Sequence, residues 1–460
     1  MTGRTAAWPP VYDRAYVPEA GERYWNRARE TMSPDERDAL VLENIQGLMH
    51  WAYARAPFYR SRWQAAGLEP GDIRSLDDFA RVPTITKADL RADQAAYPPF
   101  GSYLCVEPPD IVRVHGTSGT SGRPTAFAWS ADDYATISEA HARIMWSFGV
   151  RPSDTVFVGS ILSLYVGSWG ALAGTERLGA TAFPFGAGVP GQTLQAIGWM
   201  SQMQPTVFYG TPSYALRLAE AARGEGIDPR SLGLRIMFFS GEPGAGIPTT
   251  KALIEETFGV ACIDCGSMGE MTPWMHLAEC AERTGMHLWQ DIVYAELLDP
   301  KTWQRVPYGG GGTPVYTHLE RRCQPMIRLV SGDYAEWTDA PCACGRTYPR
   351  FPRGIAGRID DMLTVRGENV YPSAIEEVLR EFPSCDGEFE IVVTRERHMD
   401  ELRVRFESTH ENDSTDTIAR VGAALKRKLG VRAQIEVCPP GSLLRTDLKS
   451  RRVRDERSKQ

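Results

Sequence analysis

A short segment near residue 120 combines the residue types that hold a polyphosphate. The ten residues from Gly116 to Thr125 include three glycines, five hydroxyl side chains and one cation, Arg123. Glycine lets backbone N–H groups turn toward an anion, hydroxyls donate further hydrogen bonds, and the cation adds positive charge. The segment lacks the Gly-Lys-Ser/Thr ending of a Walker loop, and its composition also suits a surface turn. The residues therefore predict either a phosphate loop of another type or a plain turn.

Three cysteines and one histidine form a second group of chemically competent residues. They are arranged as Cys280 followed by His287, and Cys342 followed by Cys344. Three thiols and one imidazole are the ligand set of a closed tetrahedral Zn²⁺ site. Because the Cys-x-Cys spacing is tighter than that of usual zinc motifs, reduced cysteines with a satisfied histidine are an equally good interpretation.

Further motifs follow the glycine-rich segment in a recognisable order. They are Ser240-Gly241-Glu242-Pro243, Asp264-Cys265-Gly266-Ser267-Met268-Gly269-Glu270, Ser331-Gly332-Asp333, Gly357-Arg358-Ile359-Asp360-Asp361-Met362 and Arg445-Thr446-Asp447-Leu448-Lys449. This series resembles the motifs of the adenylate-forming superfamily of acyl-CoA synthetases. The stretches 341–346 and 357–376 are similar to the phenylacetate-CoA ligase branch of that superfamily. Each motif alone is a weak signal, but their common order is hard to obtain by chance.

The resemblance implies which residues bind the nucleotide. The β- and γ-phosphates would lie on Thr117, Ser118, Gly119, Thr120, Ser121, Gly122, Arg123 and Thr125. The adenine and the acyl-adenylate would contact Ser240, Gly241, Glu242, Pro243, Asp264, Gly266 and Ser267. Asp333 would accept hydrogen bonds from the ribose hydroxyls, with Arg358 beside the nucleotide. Arg123 stands where the family usually has Lys, which keeps the charge but changes the shape of the cation.

The resemblance also implies the catalytic and metal-binding residues. Glu270 would help to hold Mg²⁺, Lys449 would bridge the acid and the α-phosphate, and Asp360 would be the pivot of a mobile domain. Leu448 replaces the Gly that commonly precedes this lysine in the family. Relatives in the same branch carry metal-binding cysteines in similar places, which favours structural Zn²⁺ bound by Cys280, His287, Cys342 and Cys344. Four protein ligands would leave no position open for water or substrate.

Aromatic residues near the motifs suit a pocket for a flat apolar acid. We expect Tyr165, Trp169 and Tyr209 to line it together with Gly266, although core packing is the more common role for any single aromatic residue. The basic tail after Lys449 has two interpretations, a solvated terminal run or a contact for the phosphates of coenzyme A.

The composition excludes several classes of protein. The chain has 460 residues and a formal net charge of −7. This length accommodates two or three domains, and the negative charge disfavours nonspecific binding to nucleic acid or anionic lipid. No apolar run is long enough to span a membrane, and the N-terminus lacks a secretory signal. We therefore expect a cytoplasmic protein with reduced cysteines and with no nucleic-acid or membrane partner; a homodimer is compatible with the sequence.

The elements that must position these residues indicate an α/β fold. Between about residues 111 and 315, short apolar runs alternate with helical patterns, which predicts crossover units and mainly parallel sheets. The predicted strands include Thr155–Val158, Ala182–Phe185, Thr206–Tyr209 and Arg235–Phe239. After Gly357, Ser373 and Glu376 have the spacing of a capping box, and paired strands and another helix follow. We predict a large N-terminal domain of several subdomains over residues 1–359, with a mostly helical lead-in over 1–100. A small mobile α+β domain is predicted over residues 360–460.

The expected function is an ATP-dependent ligation. An aryl or arylalkyl carboxylic acid would become an acyl-adenylate and then a thioester of coenzyme A, with ATP, Mg²⁺ and coenzyme A as cofactors. Two alternatives stay open, namely transfer of the acyl group to an amine or a carrier-protein thiol, and a nucleotide-binding scaffold without activity. The charges of Glu270, Asp333 and Lys449 argue against the scaffold, which would need none of them.

Overall fold

The computed structural model describes most of the chain with short gaps. The described ranges are residues 8–117, 125–187, 191–359, 363–365, 368–385, 387–396, 399–408, 414–443 and 452–457. Every helix within these ranges is too short or too polar to cross a lipid bilayer.

Helices and loops make up the described chain from residue 8 to the first strand. The helices are α1 (Arg27–Glu30), α2 (Pro34–Arg55), α3 (Pro57–Ala65), α4 (Leu76–Phe79) and α5 (Lys87–Ala96). Capping boxes start two of them, because Ser33 exchanges hydrogen bonds with Glu36, and Thr86 does so with Asp89. The apolar face of α2 is buried against the rest of the chain, so this lead-in is part of the main core.

Strands and helices then alternate. The elements are β1 (Ile111–Gly116), β2 (Ala126–Ser130), α6 (Ala131–Ser147), β3 (Thr155–Val158), α7 (Val166–Leu178), β4 (Thr181–Phe183), α8 (Gln192–Met203), β5 (Val207–Gly210), α9 (Pro212–Gly224), β6 (Ile236–Phe239), α10 (Pro248–Phe258), β7 (Ala261–Gly266), β8 (Leu277–Glu279) and β9 (Met286–Leu288). β1 and β2 form an antiparallel hairpin that encloses the predicted phosphate segment.

A second group of strands follows without α-helices. It contains β10 (Val293–Leu298), β11 (Gly311–His318), β12 (Leu329–Val330), β13 (Asp333–Glu336), β14 (Arg350–Phe351) and β15 (Ile355–Arg358). β10, β11, β13 and β15 form an antiparallel sheet in that order, and β12 pairs with β11. The remaining strand, β14, extends the main sheet described next.

The main sheet has the strand order β14-β9-β8-β7-β6-β5-β3-β4. Strands β4, β3, β5, β6 and β7 are parallel, whereas the pairings β7–β8, β8–β9 and β9–β14 are antiparallel. Alternate side chains point to two separate cores: Val207 and Tyr209 pack with the lead-in, while Phe208 packs with α8, α9 and α10. Burial on both faces explains why these strands are continuous apolar runs.

The C-terminal part has its own sheet and core. Its elements are β16 (Leu363–Val365), β17 (Glu368–Val370), α11 (Pro372–Arg380), β18 (Phe389–Glu396), β19 (Met399–Glu407), α12 (Ser414–Leu429), β20 (Ala433–Cys438) and β21 (Val453–Asp455). The sheet order is β20-β19-β18-β21, and side chains of both helices share one apolar core with it. The α/β class with a small C-terminal α+β domain is therefore confirmed, while the boundary at residue 360 stays a prediction.

The predicted capping box at Ser373 is wrong. Helix α11 starts at Pro372 with Tyr371 as N-cap, because the fixed φ of proline suits the first helical position. Ser373 Oγ instead donates to Ala356 O at 2.5 Å, and Glu376 Oε2 binds Arg452 Nη1 at 2.7 Å. Both side chains thus make tertiary contacts where the sequence pattern predicts a local cap.

Candidate active site

The parallel strands end at one edge of the main sheet, and several predicted site residues lie there. Tyr209 is near the end of β5, Ser240 follows β6, and Gly266 ends β7 with Ser267 next to it. Because parallel strands in one sheet bring their carboxyl ends together, these distant segments become neighbours. Such an edge is where open α/β sheets bind ligands.

A chain of hydroxyl groups and aromatic rings forms one wall of this edge. The buried Tyr209 hydroxyl lies 2.8 Å from Ser240 Oγ. Burial, with Tyr165 nearby, raises the pKa of Tyr209. The Trp274 ring packs on Tyr209 at a centroid distance of 5.3 Å, and its indole N–H donates to Gly167 O at 3.0 Å. The structure thus brings two predicted acid-lining residues, Tyr165 and Tyr209, together.

Trp169 lies apart from that wall. Its indole N–H donates to Ser163 O at 2.6 Å, and its ring faces Arg113 and His115 on β1. This position is at the base of the predicted phosphate segment. Contact of Trp169 with the acid therefore stays a prediction that this packing does not favour.

Ser267 and His276 form a polar pair at the end of β7. The β7–β8 register pairs Gly266 with Leu277, so Ser267 and His276 are opposite each other one step further out. Ser267 Oγ lies 3.1 Å from His276 Nε2, and Ser267 has a φ of 154°. Sequence reasoning missed His276, because only the antiparallel return of β8 brings it to the motif.

Asp264 lies in a cavity of about 210 Å³ that Lys251, Glu279 and Gly354 also line. Its carboxyl is buried, and burial together with the neighbouring Glu279 raises its pKa well above the usual range. A side chain at Gly246 or Gly354 would collide with Asp264 Oδ2, since a Cβ there would lie 2.5 or 2.8 Å from that oxygen. Lys251 Nζ lies 2.5 Å from Glu279 Oε2 and balances the charge of that carboxylate.

Glu270 has a buried carboxylate oxygen that faces a lysine but makes no hydrogen bond within the described residues. The side chain is 1% exposed, and within the described residues its Oε2 makes no hydrogen bond. Lys87 Nζ, at the start of α5, is 3.6 Å from that oxygen. A buried carboxylate oxygen of this kind is suited to bind a cation such as Mg²⁺. Sequence reasoning missed Lys87; the available signal was a lysine in the first turn of a capped helix, where the dipole disfavours a cation.

Glu242 has a structural contact in addition to its predicted role. Its Oε1 accepts a hydrogen bond from the Ser213 N–H at 2.8 Å, which ties the motif to the first turn of α9. The adjacent Gly241 has a φ of 95°, a conformation that favours glycine. The motif from Ser240 to Pro243 is therefore a fixed turn between β6 and α10.

Asp333 and Arg358 are cross-strand partners in the second sheet. The β13–β15 register pairs them directly, and Arg358 Nη1 lies 3.7 Å from Asp333 Oδ1. Asp333 N–H donates to Ser331 Oγ at 3.0 Å, and Gly332 takes a φ of 79° in the turn. This turn presents the Asp333 carboxylate next to the last described residues before the predicted hinge.

Only the ends of the phosphate segment are described. Thr117 N–H donates to Thr125 O, and Thr125 N–H donates to Thr117 Oγ1, both at 3.1 Å. These two bonds close the base of the loop. The remaining predicted residues, Ser118, Gly119, Thr120, Ser121, Gly122, Arg123, Asp360 and Lys449, lie outside the described residues.

The predicted metal ligands come together away from this edge. The ligand atoms of Cys280, His287, Cys342 and Cys344 all lie within 4.8 Å of one another, and all four residues are buried. Cys280 Sγ is 3.8 Å from Cys342 Sγ, and Cys344 Sγ is 3.4 Å from His287 Nε2. Tetrahedral zinc with Zn–S bonds of about 2.3 Å has ligand separations of about 3.8 Å. The hydrogen bond from Cys280 and the nearby His287 hold the pKa of Cys344 well below the usual thiol range.

Part of the basic tail belongs to the C-terminal core. Arg452 Nε is 2.7 Å from Glu388 Oε1, and its Nη1 is equally close to Glu376. The following strand, β21, pairs in parallel with β18. Arg452 is therefore a structural residue, which neither interpretation of the tail anticipates.

Comparisons with known proteins show that the chain is an adenylate-forming enzyme. Residues 367–457 match the family model of the AMP-binding enzyme C-terminal domain. The phenylacetate-coenzyme A ligase of Thermus thermophilus is 32% identical, over 93% of this chain and 98% of that protein. A crystal structure of 2-hydroxyisobutyryl-CoA ligase in the postadenylation state with 2-HIB-AMP is 51% identical, with a TM-score of 0.95 over 99% of this chain and 97% of that one. The same ligase in the thioesterification state gives a TM-score of 0.77 over the same shares.

The chain belongs to the phenylacetate-coenzyme A ligase family of adenylate-forming enzymes. It is an AMP-forming acid–CoA ligase, which makes an acyl-adenylate from ATP and a carboxylic acid and then a thioester with coenzyme A. The family, the fold class and the two-step reaction predicted from the sequence are thus confirmed.

Proposed function

We propose that the carboxyl edge of the main sheet holds ATP and a short hydroxylated carboxylic acid side by side. Asp333 binds the ribose, with Arg358 next to it, and Asp264 faces the adenine from its cavity. The segment between Thr117 and Thr125 surrounds the β- and γ-phosphates. The observation that carries this proposal is the convergence of Ser240, Gly266 and Ser267 on one edge. Glu270 follows in the same motif, and its buried Oε2 makes no hydrogen bond within the described residues.

The adenylation step requires cations, because both reactants are anionic. The carboxylate of the acid attacks an α-phosphate that carries negative charge, and its oxygen displaces pyrophosphate in line. Positive charge around the phosphates comes from Lys449, Arg123 and Lys87. Glu270 fits Mg²⁺ through its buried Oε2, which makes no hydrogen bond within the described residues, and the metal, when bound, would neutralise charge on the phosphate oxygens.

The second step needs the C-terminal domain in another position. Adenylation uses Lys449 inside the site, whereas the pantetheine arm of coenzyme A can enter only when this lysine has left. Asp360 is the pivot of the rotation between residues 1–359 and 360–460. Support comes from the relative solved in two states, since this chain matches its postadenylation state with a TM-score of 0.95 and its thioesterification state with 0.77.

Two classes of acid fit different observations. The 51% identical structure is of a 2-hydroxyisobutyryl-CoA ligase in complex with 2-HIB-AMP. The 2-hydroxyisobutyryl group is a short, branched acyl group that carries a hydroxyl. The hydroxyls of Tyr165, Tyr209 and Ser240 suit such a group, so we place it first. An arylacetic acid is the second candidate, favoured by the Tyr209–Trp274 wall and by the phenylacetate ligases at 32% identity.

The buried cysteine and histidine cluster binds a structural Zn²⁺. The separation of 3.8 Å between Cys280 Sγ and Cys342 Sγ matches that of tetrahedral zinc, and all four ligands come from the protein. The site leaves no position for substrate, so its contribution is folding free energy.

The test is a panel of acids assayed with purified enzyme, ATP and Mg²⁺. Pyrophosphate release without coenzyme A reports adenylation, and thioester formation after its addition reports the second step. The highest kcat/KM should belong to a short 2-hydroxy acid, with arylacetic acids lower. A clear preference for arylacetic acids over every short acid would replace the first candidate by the second.

A further inference from the structure

The direction of the hydrogen bond between Ser267 and His276 is fixed by a third group. His276 Nδ1 lies 3.0 Å from Pro273 O, and a carbonyl oxygen only accepts, so Nδ1 carries the ring proton. His276 is fully buried, and burial lowers its pKa to about 3, so the ring is neutral. Nε2 therefore carries a lone pair and no proton, so the Ser267 hydroxyl must donate the hydrogen bond of 3.1 Å to it.

This arrangement makes Ser267 Oγ an acceptor toward any ligand. Its single proton is used by His276, and only its lone pairs are left for the open side. Ser267 is partly exposed at the sheet edge, whereas His276 behind it is closed off from solvent. Tyr209 and Ser240 differ, because either of their hydroxyls can be the donor in their mutual bond.

Along the chain, Ser267 lies close to residues of both parts of the proposed site. Trp274, two residues before His276, packs on Tyr209 in the acyl wall. Glu270, three residues after Ser267, lies at the cation end of the site. The φ of 154° at Ser267 is one that a side chain rarely adopts, so a serine here is more strained than a glycine. A role for the hydroxyl accounts for its presence.

We infer that Ser267, oriented by His276, accepts a hydrogen bond from a hydroxyl group next to the carboxyl of the acid. It thereby selects 2-hydroxy acids over acids with a methyl group or hydrogen at that position. The inference rests on the proposed function, because it assumes that the acid binds at this edge. Sites built to bond a substrate hydroxyl reject analogues without it by several orders of magnitude when fully buried.

The test uses two pairs of acids that differ only by hydroxyl against methyl. One pair is 2-hydroxyisobutyrate and pivalate; the other is mandelate and 2-phenylpropanoate, so that hydroxyl recognition is separated from the size of the acid. Pyrophosphate release by the full-length enzyme gives kcat/KM for each acid. The wild type should prefer the hydroxy acid of at least one pair by about 100-fold.

Both Ser267→Ala and Ser267→Gly should reduce this preference to less than about tenfold. The kcat/KM for the hydroxy acid should fall, whereas the kcat/KM for the methyl acid should change little. The glycine variant removes the hydroxyl without the backbone strain, so agreement of the two variants separates recognition from misfolding. Ser147→Ala is the matched control, because it removes a buried hydroxyl that donates to Ile144 O in α6. It should leave the preference unchanged.

The outcomes separate this inference from the proposed function. A wild type that treats both members of each pair alike, or variants that keep the preference, would overturn the role of Ser267 and leave the ligase intact. An enzyme that releases no pyrophosphate with any of the acids would overturn the proposed function as well.

Discussion

Two buried groups of charged residues differ in how completely the protein satisfies them. Near the metal ligands, Arg143 binds Asp291 at 2.7 Å and Glu30 at 3.3 Å, and Arg346 binds Glu30 at 2.8 Å. At the carboxyl edge of the main sheet, by contrast, Glu270 Oε2 has Lys87 Nζ at 3.6 Å and makes no hydrogen bond within the described chain. Both groups are removed from water, but only the first is complete.

The difference distinguishes a group of charged residues that stabilises the fold from one that is suited to bind a ligand. A buried ion pair with every partner in place fixes the relative position of the elements that supply it. Here Glu30 comes from α1 and Arg143 from α6. The backbone N–H of Arg346 also donates to Cys344 Sγ at 3.4 Å. These contacts connect the lead-in, the core and the group of predicted metal ligands. A buried carboxylate oxygen whose one partner is an ammonium group beyond hydrogen-bond distance, as Lys87 Nζ is from Glu270 Oε2, is less stabilised than one in a hydrogen-bonded ion pair. We therefore expect ATP and a cation, when bound, to supply at Glu270 the close partners that Glu30 and Asp291 already have within the protein.

Disruption of the metal cluster should give the largest change in stability. Cys342→Ser removes one of four ligands and should release the zinc, because the metal binding free energy of such sites is folding free energy. We expect one equivalent of zinc in the wild type by elemental analysis. The variant should have little zinc and a free energy of unfolding lower by about 4 kcal/mol.

Cys438→Ser is the matched control, since Cys438 is a buried thiol of the C-terminal sheet outside the cluster. It should keep the zinc. Wild-type protein that contains no metal at full stability would contradict a structural zinc site.

The second effect concerns the two half-reactions. Lys449→Ala should slow pyrophosphate release by about 100-fold or more, the loss expected for a cation at the transition state. Thioester formation from supplied acyl-adenylate should stay close to the wild-type rate. Equal loss of both steps would make Lys449 a structural residue.

Asp360→Pro should have the opposite profile. Proline fixes φ at about −65° and would block the rotation of the C-terminal domain. Adenylation should continue, because the enzyme would stay in the adenylating arrangement. Rapid-quench measurement of each half-reaction distinguishes the two variants. Normal thioester formation in Asp360→Pro would show that the pivot lies elsewhere.

A smaller loss is expected at the ribose. Asp333→Asn keeps the shape of the side chain but replaces charge-assisted hydrogen bonds by neutral ones, which should weaken ATP binding by about 2 kcal/mol, or roughly 30-fold. Isothermal titration with ATP measures this directly. Unchanged affinity would remove the ribose assignment.

The sequence predicts the parallel core well, because its strands are uninterrupted apolar runs. Thr155–Val158 is observed with the predicted ends, and the other strands of this region differ by one or two residues. The cap at Ser373 fails because tertiary partners, Ala356 O and Arg452, replace the local bonds that the pattern implies. Local patterns predict local structure only where no distant group competes.

The site is predicted in part for a similar reason. Motif residues such as Asp333 and Glu270 are recognisable because each belongs to a short contiguous pattern. Lys87 and His276 come from elements outside those patterns, and only the fold brings them to Glu270 and Ser267. The metal ligands are an intermediate case, since their residue types suggest zinc but their pairing needs β9 beside β14.

The comparison of the two buried groups can be tested by one matched pair of substitutions. Glu30 and Glu270 are 0% and 1% exposed, and glutamine removes the charge of either with little change in shape. Unfolding free energies without ligand and initial rates of pyrophosphate release are measured for both variants. Glu30→Gln should lose about 3 kcal/mol of stability and keep adenylation within about threefold of the wild type. Glu270→Gln should keep the stability of the wild type within about 1 kcal/mol and lose about 100-fold in adenylation rate. A Glu270→Gln enzyme that is as destabilised as Glu30→Gln and still adenylates its acid would contradict the account.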